Sequence, residues 1–341
     1  MAEPRPSPTV GVAPRAAERL IDVDVAKGLA IVLVVLGHVV ARDIHPAGNG
    51  WYATMNACLY SFHMGLFFFF SGYVFFIGPA DTRLARWKKT AARLLPAYLL
   101  FAAIVLVAKS LAAGILPVDR PVQHLWTDLA NLVLYPTSGF ASYLWFIVAL
   151  LQVELLAIAL LAWLPGAPVS ALLVAAGLHL LSVYVGVTNL LALHQTARYL
   201  VFFLLGQWAV AHRDAWVPWL RRHWWVALGA FVGAIALSPA AVQPTVLGLA
   251  AVPAAHAVAL RLGAGRAAQV LVVLGTASLT IYLMNSLALG LVRAMILMTT
   301  GWDGWRFAVA LPVLLVAGLV LPIVAQRLIF SRVAWLDRIT R

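Results

Sequence analysis

Charge is what this sequence has least of. Of 341 residues, 11% are Asp, Glu, Lys or Arg and 63% are hydrophobic, with a mean hydropathy of +0.94. Soluble domains carry about 25% charged residues, so a soluble enzyme and a charged disordered chain are both excluded. Cysteine is nearly absent. Cys58 stands alone, which excludes an intramolecular disulfide and a cysteine metal cluster, and no metal site is expected. Carboxylates are half as numerous as cations, 12 against 24. In a soluble protein the net charge of +12 would suggest nucleic acid, but in an apolar chain basic residues are read by the side of the membrane on which they lie.

What the sequence has instead is a series of apolar runs, each close to the 20 or so residues that cross a bilayer. They fall at about 25–44, 55–78, 94–114, 143–164, 169–187, 196–211, 224–240, 244–261, 269–292 and 306–329. Backbone in hydrocarbon must satisfy its own hydrogen bonds, and these runs are too long and too uniformly apolar for alternating barrel strands. An all-α polytopic membrane protein of about ten helices is therefore expected. The runs at 224–240 and 244–261 are short and rich in Ala, Gly and Pro, and a re-entrant pair is an alternative there. No repeat or inverted symmetry of the transporter kind is visible.

With the amino terminus cytoplasmic, 18 of the 24 cations fall inside, including Arg83, Arg86, Lys88, Lys89 and Arg93 after the second run. The outside keeps Arg42, Lys109, Arg120, Arg198, Arg293 and Arg306. An even helix count puts both termini in the cytoplasm. Residues 1–18, with four prolines, read as a disordered cytoplasmic tail, 19–330 as the transmembrane domain and 331–341 as a basic cytoplasmic tail. The only long loop, 115–142, should face outward, and Trp126 and Trp145 suit an interfacial belt.

Ionisable residues within apolar helices are costly, so each is a candidate for function. Lys27 and His38 are eleven residues apart in the first run, about 16 Å along one helical face, and are expected on one wall of one cavity. His38 suits a general base, against a plain interhelical hydrogen bond. His63 precedes Phe67 to Phe70 and Ser71-Gly72, a stretch that reads first as close helix packing. Glu154 is the one carboxylate embedded in an apolar run away from its ends and fits structural pairing and a relay role equally. For His179, Tyr184, Arg198, His256 and Arg293, interface hydrogen bonding or snorkelling is the simpler account. The loop cations are ordinary positive-inside charge, yet would also draw a polyphosphate ligand such as a coenzyme A thioester.

These stretches resemble the membrane-bound acyltransferase-3 family. Arg19-Leu20-Ile21-Asp22 with Lys27-Gly28 and Gly37-His38 is similar to its first helix, where a basic residue and a histidine are separated by ten positions. Phe62-His63-Met64 with Phe67 to Tyr73 resembles its second-helix signature, and Arg93-Leu94-Leu95-Pro96 its third-helix start. Leu144-Trp145-Phe146, Arg198-Tyr199 to Gly206 and Ser278 to Leu283 follow in order, so the likeness spans about 19–290. Ile21-Asp22 with Lys27-Gly28 is similar to the branch that includes fucose 4-O-acetylase-like proteins, and the stand-alone type is expected. Three positions depart from the pattern: Gly65 replaces a common proline, Thr90 a second arginine, and Asn285 a frequent histidine.

The resemblance implies transfer of an acyl group, most simply acetyl from acetyl-CoA, to a hydroxyl of a carbohydrate or glycolipid acceptor in the cytoplasmic membrane of the cell. Acyl-CoA is then a co-substrate, and no permanently bound cofactor is expected. His38 would be the base or the transient acyl carrier. Lys27, Arg83, Arg86, Lys89 and Arg93 would hold coenzyme A phosphates. His63 and Glu154 would bind the acceptor or orient His38. The rival reading is a transporter or flippase for a lipid-linked sugar or small solute, which would show flux without consuming acyl-CoA. A membrane protein without chemistry would leave Lys27, His38 and Glu154 unexplained.

Overall fold

A computed structural model describes residues 20–41, 44–116, 118–164, 166–240 and 242–340. The expected tail at 1–18, Arg19 and Arg42 lie outside the described residues. Within them are fourteen α-helices and no strand: α1 Ile21–His38, α2 Gly50–Phe75, α3 Arg83–Ala112, α4 Leu125–Leu134, α5 Trp145–Trp163, α6 Ala167–Leu180, α7 Leu193–Ala211, α8 Arg213–Arg222, α9 Trp224–Leu237, α10 Gln243–Leu262, α11 Arg266–Thr276, α12 Ser278–Thr299, α13 Trp305–Leu328 and α14 Ala334–Thr340. Seven helical segments are long and apolar enough to cross a membrane unaided. The protein is an all-α, multi-pass membrane protein.

Among the described residues each of the ten apolar runs carries helix, and the structure differs from the expectation in three places. The run expected as one helix at 269–292 is broken at Ala277 (φ −89°, ψ 8°) into α11 and α12. Thr276 Oγ1 donates to the carbonyls of Val272 and Val273 there, a local bond that competes with the helix ladder. α9 has 14 residues, about 21 Å of helix against roughly 30 Å of hydrocarbon. The loop 115–142 contains α4. At the carboxyl end, α14 folds back on the bundle: Thr280 Oγ1 donates to the Thr340 carbonyl at 2.5 Å, and Gln326 Nε2 to Asp337 Oδ1 at 2.7 Å.

Lipid is as apolar as Leu, so helices in a membrane associate by close packing over small residues. Two crossings show this. Gly28 on α1 meets the Leu271 backbone of α11, and Gly275 meets the Asp24 carbonyl in return, so a methyl group at either would collide with main chain. Gly72 on α2 and Gly206 on α7 make the second reciprocal contact, against the backbones of Phe203 and Phe69. Phe68, Phe69 and Phe70 beside it are fully buried. The packing expected of the Phe run and Ser71-Gly72 is what the helices do.

The bundle thereby has two chemically distinct ends. The α2–α3 turn, α8, the α10–α11 turn and the end of α13 gather the cations expected inside. His38, the start of α2, the end of α3, α4 and the start of α7 meet at the opposite face, which the charge bias makes the outward one.

Candidate active site

A cavity of about 740 Å³ lies among the helix ends at the outward face, within the range of ligand pockets. His38 reaches it from α1, Tyr60 and His63 from α2, Arg198 from α7 and Arg293 from α12. The segment before α4 adds Asp119 and Arg120.

His38 is half-buried, and its orientation is fixed by Asn285. Asn285 is fully buried and spends its amide N–H groups on the α12 carbonyls of Ile281 and Tyr282, at 2.9 and 2.8 Å. Its Oδ1 is therefore left as an acceptor, 2.9 Å from His38 Nδ1. A neutral imidazole has one donor and one acceptor nitrogen. With Nδ1 donating to Asn285, the lone pair is on Nε2, the arrangement a general base requires.

His63 is buried, with Nδ1 donating to the Leu59 carbonyl one turn back at 2.6 Å and its ring edge-on to Tyr60 at 4.8 Å. This leaves its Nε2 as a second acceptor in the same cavity. Trp145, expected in the interfacial belt, instead stacks on Tyr199 (5.7 Å, 24°) and lines the cavity. α5 begins there, so the indole that opens it faces inward.

The other sequence candidates lie elsewhere. The cavity takes in Val34 and His38 of α1 but stops short of Lys27, so the single cavity expected to run past both is not formed by the described residues. Between them Ile31, on the same face, is fully buried in the apolar core and fills the wall they share. Lys27 instead shares the basic end with Arg93, whose charge acts on it. Glu154 is 4% exposed and interacts electrostatically with Arg93 and Arg86 rather than with His38. Arg86 donates to the carbonyls of Gly78 and Pro79 at 3.2 and 3.1 Å and lies over the Phe75 ring, while Arg83 lies over Phe76. Lys89 is exposed. Among the described residues no three of His, Cys, Asp or Glu are grouped so as to hold a metal ion.

A family model described as an acyltransferase domain matches residues 20–327. This chain belongs to the acyltransferase-3 family. The match runs through all of the helices from α1 to α13, and the protein is a membrane acyltransferase. No curated protein and no solved structure matches it.

Of the five residues set aside as interface groups, three are that. Tyr184 donates to Thr245 Oγ1 at 3.1 Å, His179 bonds Thr245 Oγ1 at 3.0 Å and donates to the Arg198 carbonyl at 2.7 Å, and His256 joins a closed network. The other two, Arg198 and Arg293, line the cavity beside His38. Asn285, read only as a departure from the family pattern, holds the central histidine. A buried amide in an apolar helix is itself costly, and that signal was present in the sequence.

Proposed function

We propose that the enzyme is an O-acyltransferase of the cytoplasmic membrane, moving an acyl group, in the simplest case acetyl, from acyl-CoA to a hydroxyl of a carbohydrate-containing acceptor. The observation that carries this reading is the His38–Asn285 pair, which turns an unprotonated Nε2 toward a cavity large enough for a sugar. The acceptor enters that cavity from the outward face. His38 Nε2 takes the hydroxyl proton as the oxygen attacks the thioester carbonyl. The carbon–sulfur bond then breaks, and the departing coenzyme A sulfur takes the proton from His38. Ester and free thiol form, and His38 returns to its starting state.

Acyl-CoA approaches from the basic end, where Lys27 lies with Arg93 and where the first turns of α3 carry Arg83, Arg86 and Lys89. Phosphates favour such a cluster through charge-assisted hydrogen bonds. His63 offers the acceptor a second nitrogen. Glu154 acts on Arg86 and Arg93 and so helps set the charge of the donor side.

The test is release of free coenzyme A from acetyl-CoA by membranes containing the protein, with and without a cell-envelope glycan fraction. Glycan-dependent release that His38→Ala abolishes is the expected result. No release with any acyl-CoA or acceptor fraction, from protein shown to be folded, would move the reading to transport.

A further inference from the structure

The cavity holding His38 is strongly cationic. Lys109, Arg120, Arg198 and Arg293 line it, against one carboxylate, Asp119. The contacts made by the three arginines are with neutral groups. Arg120 Nη1 donates to the Thr137 carbonyl at 3.2 Å, Arg293 Nη1 to the Val39 carbonyl at 3.4 Å, and the Arg198 guanidinium lies over the Tyr199 ring at 5.4 Å. Among the described residues none of these three arginines forms an ion pair with a carboxylate.

A guanidinium offers five N–H donors, and a single carbonyl or ring face leaves most of them unused. Removing such a charge from water is unfavourable unless an opposite charge accompanies it. Arg293 is the sharpest case, 8% exposed on an apolar helix. Asp119 acts on Arg293 at longer range and is one charge among four of the opposite sign. Among the described residues no carboxylate pairs with Arg120, Arg198 or Arg293, and the cavity has room for an anion beside them.

We infer that the acceptor is anionic: a sugar or glycolipid carrying a carboxylate or phosphate group, held by Arg198 and Arg293 so that a neighbouring hydroxyl meets His38 Nε2. This rests on the acyl-transfer reading for the word acceptor, and on the arginines alone for the charge. Asn56, Tyr60 and the stacked Trp145 and Tyr199 rings supply the polar and flat surfaces that a sugar ring requires.

The experiment is a binding titration on purified protein in neutral detergent, read by thermal stabilisation, with the His38→Ala variant beside wild type so that no turnover intervenes. The probes are methyl glucuronide, glucose 6-phosphate, methyl glucoside and inorganic phosphate. At least one of the two anionic sugars should bind about tenfold or more tightly than methyl glucoside, as expected for a charge-assisted hydrogen bond. The preferred sugar identifies carboxylate or phosphate as the recognised group. Arg198→Gln and Arg293→Gln should each remove most of that preference, and Arg198→Lys and Arg293→Lys should keep part of it.

Equal or tighter binding of methyl glucoside would overturn the inference, as would a preference that survives both Gln variants or no binding by any of the sugars. Inorganic phosphate binding as tightly as glucose 6-phosphate would reduce the arginines to a counter-ion site and overturn it too. Glycan-dependent coenzyme A release with a neutral acceptor alone would remove the anionic class and leave acyl transfer standing. The converse, anion preference without coenzyme A release, would do the reverse.

Discussion

The two ends of α1 each present a side chain to a histidine arrangement, and the arrangements differ in one respect. At the basic end Asp22 accepts from His256 Nε2 at 3.1 Å and pairs with Arg213 at 3.3 Å. Arg213 also donates to the Tyr73 hydroxyl, and Trp216 Nε1 donates to His256 Nδ1 at 3.1 Å. Both ring nitrogens of His256 are used, and the network ties α1, α2, α8 and α10 together. At the outward end His38 uses one nitrogen on Asn285 and turns the other to open volume. Burial does not separate the two, since His256 is the more buried. What separates a reactive histidine from a strut is unused hydrogen-bonding capacity facing space that a substrate can enter.

The comparison breaks first at His38. Replacing it with Ala should lower acyl transfer by about 10²- to 10⁴-fold, the usual worth of a positioned base, with the thermal midpoint little changed. His256→Phe should do the opposite, leaving kcat per folded molecule near wild type while lowering the midpoint. Coenzyme A release together with a melt of each variant decides the matter. Equal loss of activity in the two would erase the distinction.

Asn285 tests whether the tautomer matters. As a positioning residue it touches no substrate, and Asn285→Ala should lower kcat by about 10- to 100-fold, the worth of one to two lost interactions of about 1.4 kcal/mol each. The KM for acyl-CoA should be unchanged. Asn285→His, which restores an acceptor nitrogen to His38 Nδ1, should recover part of the rate. Loss of stability with kcat intact would make Asn285 a packing residue only. At the other end, Asp22→Ala leaves His256 and Arg213 without their acceptor and should destabilise the fold by about 1–3 kcal/mol, measured by thermal or denaturant unfolding. Its effect on kcat per folded molecule should be small, because the network lies a helix length away from the cavity.

The sequence made the fold legible through hydropathy and charge, because the bilayer leaves few alternatives to a helix and sorts cations by side. Breaks within helices were not legible: Ala277 carries no proline or paired glycines to mark it, and a threonine that bonds back to the ladder, as Thr276 does, has no signature of its own in the sequence. His38 and His63 were legible because ionisable groups inside apolar runs are expensive. Their company was not. Arg198 and Arg293 read as snorkelling residues one at a time, and only the cavity into which α1, α7 and α12 all lead brings them together with His38. Lys27 and His38 share a helical face by their spacing, but no spacing rule shows that Ile31 between them is packed into the core.

That separation of Lys27 from His38 gives the smallest and most discriminating effect. If Lys27 and Arg93 hold the donor's phosphates, Lys27→Met and Arg93→Gln should raise the KM for acetyl-CoA by about tenfold, the loss of one charge-assisted contact, while kcat at saturation stays near wild type. Lys89 is on the same helix but exposed to solvent, where ion pairs contribute about 0–1 kcal/mol. Lys89→Ala should therefore change KM by no more than about threefold, and that change should vanish at high salt, whereas the Lys27 effect should persist because the group is half-buried. A large, salt-insensitive Lys89 effect would shift donor binding from the Lys27–Arg93 cluster to the exposed face of α3. It would leave His38 in place but require the acyl group to travel farther to reach it.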